Sequence, residues 1–277
     1  MSGEDRDLHR LAEELAERLV AEPGPLLVVT GAGVSLASGI PTFRGTDPGA
    51  VWKNDVMEKG TYAYFRRFPV ESWGWYAERF PIVRDARPNP SHHALAELER
   101  WYDTQDRDYL LVTQNVDGLH REAGSERLVE VHGCSRFVRC ARDGCSNGAP
   151  TGKLPRPTEA IAAFLEAPGR DTLPRCASCG DVLRPHVLWF DEYYGEHLDY
   201  QWDRTQQAAA SAALVLFVGT SFSVGVTDLI AQHCTMRRTP ALSIDPGAAR
   251  PPYRVVEPIA AAAEELLPLV VQRLERL

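Results

Sequence analysis

Leu26-Leu27-Val28-Val29-Thr30-Gly31-Ala32-Gly33 is the stretch on which the fold turns. Five apolar or β-branched residues run without a break, stop at a glycine, and are punctuated on the other side by Pro23-Gly24-Pro25. A short apolar run between turn signals reads as a buried parallel strand. A strand that opens into Gly-Ala-Gly and then a helix is how α/β proteins receive nucleotide phosphates. The glycines let the backbone come close, and the helix start offers free amides. Alone, Gly31-Ala32-Gly33 lacks the third glycine of the usual dinucleotide fingerprint, and a tight turn in any α/β protein accounts for it as well.

Outward from that strand the pattern repeats. Leu8, Leu11, Leu15 and Leu19 recur at helical spacing before it. Further runs at 109–113, 128–132, 214–218 and 241–245 read as strands. They are separated by helical stretches at His92–Trp101 and Asp203–Ala213, with a closing amphipathic helix over Ile259–Leu277. Strands alternating with helices predict an α/β fold with a doubly wound parallel sheet. Two stretches interrupt the alternation. Residues 46–88 are rich in Trp, Tyr and Phe and broken by prolines, which predicts a small helical insert. Gly133 to about Arg184 holds cysteines, glycines and prolines with little periodicity, which predicts a metal-held insert.

The cysteines are the sharper signal. Cys140-x4-Cys145 and Cys176-x2-Cys179 are two close pairs with thirty residues between them. Two thiolate pairs at that spacing suit one tetrahedral zinc ion, and four sulfur ligands leave no open position for water, so the zinc is expected to be structural. Disulfides need an oxidising compartment, and a redox Cys-x-x-Cys at Cys176 leaves the first pair unexplained. Cys134 and Cys234 are left over as free thiols.

The glycine turn continues as Gly31-Ala32-Gly33-Val34-Ser35-Leu36-Ala37-Ser38-Gly39-Ile40-Pro41-Thr42-Phe43-Arg44-Gly45. This resembles the sirtuin signature GAGxSxxSGIPxFRG at every specified position. Thr113-Gln114-Asn115-Val116-Asp117-Gly118-Leu119-His120, otherwise readable as an Asx-turn into a helix, resembles the family's TQNxDxLH. His132-Gly133 matches its HG pair, Gly219-Thr220-Ser221 its GTS, and Arg184-Pro185-His186-Val187-Leu188-Trp189-Phe190-Asp191-Glu192 its RPHVVWFGE. The chain departs from the pattern at Asp191, for a glycine; at Asp245, where Ile-Asn is usual; and at Val226-Thr227, for Pro-Ala after GTS. A side chain at Asp191 is expected to narrow the peptide cleft or bias the peptide accepted.

The resemblance implies a Rossmann-like NAD-binding domain over 1–45, 89–133 and 203–277. It implies a helical insert with the acyl pocket over 46–88, and a zinc-binding module with the peptide-binding segment over 134–202. It implies that NAD is a co-substrate held by Gly31, Ala32, Gly33, Phe43, Arg44, Gln114, Asn115, Asp117, Gly219, Thr220, Ser221 and Asp245. The catalytic residues would be Asn115 and Asp117, lining the nicotinamide pocket, and His132, the general base, a role suited to a side chain that titrates near neutrality. In that chemistry the acyl-lysine carbonyl oxygen attacks C1′ of the nicotinamide ribose and nicotinamide leaves. His132 then deprotonates a ribose hydroxyl, giving free lysine and 2′-O-acyl-ADP-ribose. The peptide adds as a strand along 183–192, with Val187 flanking the acyl-lysine tunnel. NAD glycohydrolase or ADP-ribosyl transfer at the same site, and a non-catalytic NAD- or peptide-binding regulator, are the alternatives.

Trp73-Gly74-Trp75-Tyr76-Ala77-Glu78-Arg79 carries the acyl choice. Its Tyr-x-x-Arg resembles the subgroup that removes succinyl, malonyl or glutaryl groups, in which the tyrosine hydroxyl and the guanidinium hold the acyl carboxylate. A buried carboxylate needs a partner, and arginine offers a fork. Tyr76 and Arg79 share a face if that stretch is helical; an exposed pair with no acyl role is the plainer alternative. Gly60 falls where the subgroup uses a small residue to widen the pocket.

The 277 residues are 44% apolar and 25% charged, which supports a sizeable core. The formal charge of −8 argues against nucleic acid or membrane surfaces as broad electrostatic partners. The polar N-terminus has no apolar signal core, and the apolar run Ala208–Val218 is too short to span a bilayer. A cytoplasmic, monomeric protein acting on acyl-lysine proteins or peptides is the expectation.

Overall fold

The computed structural model describes residues 3–41, 56–223, 225–247 and 251–277. The strands are β1 (Leu26–Thr30), β2 (Tyr109–Thr113), β3 (Leu128–Glu130), β4 (Gly133–Cys140), β5 (Leu154–Pro155), β6 (Leu183–Val187), β7 (Leu214–Val218), β8 (Ala241–Ile244) and β9 (Val256–Ile259). Six of them form one parallel sheet in the order β3-β2-β1-β7-β8-β9, and β5-β4-β6 form a second, antiparallel sheet.

Alternation along β1 explains its unbroken apolar run. Leu26 and Val28 point into one core with Leu111 and Leu216, covered by helices Gly3–Ala21, Pro90–Thr104 and Ala263–Leu274. Leu27 and Val29 point into another with Val112 and Phe217, covered by helices Trp202–Ser211 and Gly225–Arg237. A strand buried on both faces has no polar side to show.

Helix Pro90–Thr104 starts on a capping box: Asn89 accepts from Ser91 N at 3.0 Å, and Asn89 N reaches His92 Nδ1 at 3.3 Å. The same Asn89 donates to Val34 O at 2.8 Å and Ser38 Oγ at 3.0 Å, tying this helix to the glycine turn.

Two expectations are corrected. The closing helix begins at Ala263, not Ile259, because Val256–Ile259 pairs with β8 as an edge strand. Pro258 and the exposed Glu257 disguise this strand, and an edge is where a proline is tolerated. The expected metal-held insert is not aperiodic: β4 and β6 pair across it, with Cys140 opposite Leu183.

The aromatic stretch is helical as expected, over Val56–Lys59, Tyr62–Arg67, Pro69–Ala77 and Phe80–Asp85. Phe65, Trp73 and Phe80 from the insert pack with Val138, Phe164 and Trp189 in a third core. Among the described residues no helix is long and apolar enough to cross a membrane.

Candidate active site

From β1 the chain winds outward to β2 and β3, and from β7 to β8 and β9, so the sheet divides between β1 and β7. Open α/β sheets bind ligands beyond the carboxyl ends of their strands at such a point. Two turns meet there. Gly31 N donates to Val218 O at 3.1 Å, and Gly33 N to Gly219 O at 2.9 Å. A Cβ on Gly33 would lie 2.7 Å from Gly219 Cα; one on Gly219, whose φ is +57°, would lie 2.4 Å from Val34 N. The glycines are therefore fixed by backbone packed on backbone. Beyond them the chain makes a 3₁₀ helix, Ala32–Ser38, rather than an α-helix.

The predicted polar residues converge above these turns. Gln114 Nε2 donates to Thr30 O at 3.2 Å and to Thr220 Oγ1 at 3.3 Å, bridging β1, β2 and the turn after β7. Asn115 Nδ2 donates to Gly31 O and to Ser35 Oγ, both at 3.0 Å. Ser35 donates in turn to Asp117 Oδ2 at 2.8 Å, and Asp117 Oδ1 accepts from Leu119 N at 2.9 Å. Burial pushes the Asp117 carboxyl upward, opposed by those two donors. Ser221 is exposed and bonds Ser223 at 3.0 Å. Asp245 follows β8 and accepts from Gly247 N at 2.8 Å, closing its own turn. Phe43 and Arg44 lie outside the described residues.

His132 joins the two sheets. Its backbone oxygen accepts from Leu188 N at 2.8 Å, beside the Gly133–Val187 pair of β4 and β6. Gly133 has φ +78°, and a Cβ there would sit 2.3 Å from His186 O, so the residue after the histidine must be glycine. The His132 ring bonds Gln114 O through Nδ1 at 2.9 Å and Tyr194 Oη through Nε2 at 3.3 Å. Burial lowers its pKa to about 4, against the carbonyl of Gln114, so the imidazole is neutral at physiological pH.

Val187, 4% exposed, ends β6 and leads into a braced loop. Glu192 accepts from Arg184 Nη2 at 2.8 Å, Arg139 Nη2 at 3.1 Å and Trp189 N at 2.9 Å. Burial pushes the Glu192 carboxyl up, but the arginines and the Trp189 amide outweigh it and hold it below the ordinary range. Asp191 is held toward the helical insert. Its carboxylate accepts from Tyr62 N at 2.6 Å and Ala63 N at 3.0 Å, and Phe190 N bonds Gly60 O at 3.0 Å, which latches the loop to the helical insert.

Tyr76 faces the same loop, its hydroxyl accepting from Trp189 Nε1. Burial pushes its pKa well up, so the phenol keeps its proton. The helix ends at Ala77, and Arg79 N bonds Tyr76 O in the turn at 3.0 Å; the two residues are joined by a turn, not by a shared helix face. Arg79 lies over the Trp75 ring at 4.3 Å and donates to Trp75 O at 2.6 Å. Burial lowers its pKa.

The four predicted cysteines gather, with all Sγ atoms within 4.8 Å of one another. Cys140 and Cys179 are 3.4 Å apart, and Cys145 and Cys176 3.8 Å. Ligands about 2.3 Å from a tetrahedral zinc ion are separated by about 3.8 Å, so the four sulfurs fit one zinc ion. Arg142 N and Asn147 Nδ2 donate to the sulfurs of Cys140 and Cys176, each at 3.4 Å, which suits thiolate charge. His186, His197 and Asp199 also cluster within 4.8 Å, but His197 Nδ1 accepts from Asp199 N, its Nε2 meets Gly152 O, and Lys153 sits 2.5 Å from Asp199. No lone pair of His197 is left for a metal.

Residues 31–226 match the model of the Sir2 family. The chain belongs to that family. As a Sir2-family protein it is 42% identical over 218 residues to the NAD-dependent protein deacylase of Thermus thermophilus, covering 78% of this chain and 76% of that one. It is 35% identical over 263 residues to NAD-dependent protein deacylase 2 of Pyrobaculum aerophilum, covering 93% and 94%. The fold is similar to an ADP-ribose complex of a mutant Sir2 homologue, with TM-score 0.75, 32% identity and coverage of 91% and 92%. A Sir2 homologue–NAD complex gives 0.74, 31%, and 94% of both chains.

This Sir2-family site contains residues that the sequence did not mark. Ser35 joins Asn115 to Asp117; it stood inside the quoted signature, and its alternation with two glycines was the available signal. Glu192 and Arg184 lay in the peptide segment, eight residues apart, with nothing local to pair them. Tyr194 stood in an unassigned Tyr193-Tyr194 pair, and only the fold brings it to His132.

Proposed function

We propose that this protein removes acyl groups from protein lysines, consuming NAD, and that it accepts succinyl and malonyl groups as well as acetyl. NAD-dependent deacylation is the activity named for relatives at 35–42% identity that cover most of the chain. When bound, NAD supplies a ribose carbon that nicotinamide can leave. The chain's own residues do the rest. Asn115, Ser35 and Asp117 form one hydrogen-bonded row over the Gly31 turn, and Gln114 bridges Thr30 to Thr220 beside it, an arrangement suited to a ribose and an amide. His132 is neutral, with Nδ1 held by a carbonyl, and offers Nε2 as a proton acceptor. The bond from Leu188 N to His132 O sets the base directly beside the segment along which a peptide strand would add, and this single contact carries the deacylase reading. Four sulfur ligands suit zinc to holding the second sheet, away from the chemistry.

The acidic-acyl reading is supported by Tyr76 and Arg79. Trp189 uses a lone pair of the Tyr76 oxygen, so its O–H remains to donate to a carboxylate. The desolvated Arg79 guanidinium gains most from an anion that arrives without its water.

Incubation with NAD and acetyl-, succinyl- or malonyl-lysine peptides, followed by mass spectrometry, tests both readings. His132→Ala should lose acyl removal by about two to four orders of magnitude with melting temperature and zinc content intact. Near-normal turnover would sink the assignment, and nicotinamide release without any acyl-lysine would favour glycohydrolysis. Arg79→Met should impair desuccinylation far more than deacetylation; equal losses would remove Arg79 from carboxylate binding.

A further inference from the structure

The hydroxyl of Tyr194 lies 3.3 Å from Nε2 of His132. The other ring nitrogen decides the sense of that bond. Nδ1 sits 2.9 Å from Gln114 O, and a carbonyl only accepts, so the ring proton is on Nδ1 and Nε2 carries the lone pair. Tyr194 is therefore the donor. Its oxygen faces the first turn of helix Gly225–Arg237, where a Cβ on Gly225 would lie 3.8 Å from it and the Val226 N–H is the nearby backbone donor. The phenol ring is stacked on Trp202, with centroids 4.1 Å apart and planes at 11°, and lies nearly parallel to His132 at 5.8 Å and 23°. Burial raises its pKa, which keeps the donor proton in place. Val226 stands where sirtuins commonly carry a proline, and a proline has no N–H to give.

We propose that Tyr194 is a positioning residue for His132: anchored by Val226 and Trp202, it holds the Nε2 lone pair and the ring plane of the base in register with the helix that follows the Gly219–Ser221 turn. Gln114 fixes which nitrogen is free; Tyr194 fixes where that nitrogen points. One Nδ1–H···O bond leaves the ring free to pivot about its own axis, and a second contact at Nε2 removes that freedom before substrate arrives; Nε2 has a single lone pair, so the Tyr194 hydroxyl yields it to the ribose hydroxyl when substrate binds. Three segments far apart in sequence, ending at His132, Tyr194 and Val226, are assembled by it into one unit.

The inference rests on His132 as the base, yet its first test needs no substrate. In the unliganded full chain, the ring nitrogens of His132 are read by long-range ¹H–¹⁵N correlation and assigned by their loss in His132→Ala. Tyr194→Phe keeps the stacking and removes the donor. It should move Nε2 downfield, toward a free lone pair, and leave Nδ1 unmoved. Val226→Pro, a substitution that a first helical turn tolerates, should move Nε2 the same way by less. In turnover, Tyr194→Phe should lower kcat about tenfold, well short of losing the base itself, with KM for the acyl-peptide within about twofold. An Nε2 resonance in Tyr194→Phe that coincides with the wild type overturns the proposal, as does a shift with kcat unchanged. An unmoved Nε2 in Val226→Pro removes Val226 from the arrangement. Full turnover by His132→Ala would instead remove the base reading, whatever the ring spectra show.

Discussion

At the ends of β1 and β7, two turns touch through Gly31, Gly33 and Gly219 with backbone against backbone. At the end of β6, the equivalent stiffness comes from side chains: Glu192 takes two arginines and an amide, and Asp191 caps the first turn of Tyr62–Arg67. The difference is one of tolerance. A backbone contact admits no Cβ at all, so the turns after β1 and β7, the proposed nucleotide side, are confined to glycine where they touch. A side-chain contact can be re-made with another pair, so the end of β6, the proposed peptide and acyl side, can change one residue at a time. Asp191 and Tyr194 are both on that second side.

Removing the Glu192 carboxylate is the hardest blow to the side-chain brace. Glu192→Ala leaves Arg139 and Arg184, each with a 3% exposed side chain, without their shared anion, and should cost about 3–5 kcal/mol of stability. Thermal melting checks the size. Binding of ADP-ribose and of acyl-peptide checks the place, and an equal loss of both would break the division into two sides. Gly219→Ala attacks the backbone contact. Its φ of +57° and a Cβ 2.4 Å from Val34 N should together cost about 3 kcal/mol and abolish ADP-ribose binding. Gly180→Ala in the cysteine turn is the matched control: φ is +76°, but nothing lies within 4 Å of the new Cβ, so about 1 kcal/mol is expected. Similar melting losses in the two variants would show that close approach adds nothing to strain.

The smallest effect concerns acid. His132 titrates at about 4 in the fold against 6.5 ordinarily, so the fold favours its neutral form. The stability this contributes is complete above pH 6.5 and is lost as pH falls toward 4. As the proposed base, His132 is unprotonated over the same range. The acid limb of kcat/KM should therefore lie below about pH 5, not near 6.5. A pH–rate profile with its half-point near 6.5 would contradict the burial of this ring.

The sheet was legible because β1, β2 and β7 are buried on both faces and show it as unbroken apolar runs. The cysteine set was legible because its ligands come in local pairs. Gln114, Asn115 and Asp117 were legible because one short loop holds all three. What escaped is non-local or disguised. β9 reads as loop because an exposed edge needs no alternation and admits Pro258. The turn joining Tyr76 to Arg79 was hidden because spacing of three fits a helix and a turn alike. Asp191 was read for its effect on the peptide cleft, and its partners at Tyr62 and Ala63 could not be read because they are set only by the packing of the insert.

The position of β1 between β2 and β7 also bears on how the chain is made. One edge of β1 is satisfied as soon as β2 has left the ribosome, but the other waits for residues 214–218. Through most of synthesis the strand that leads into Gly31 offers a bare row of amides and carbonyls to whatever strand is nearest. The crevice between β1 and β7, begun by the first strand of the sheet, is thus among the last features to be completed, and a nascent chain halted before Val218 would carry the signature glycines with nothing to close on them.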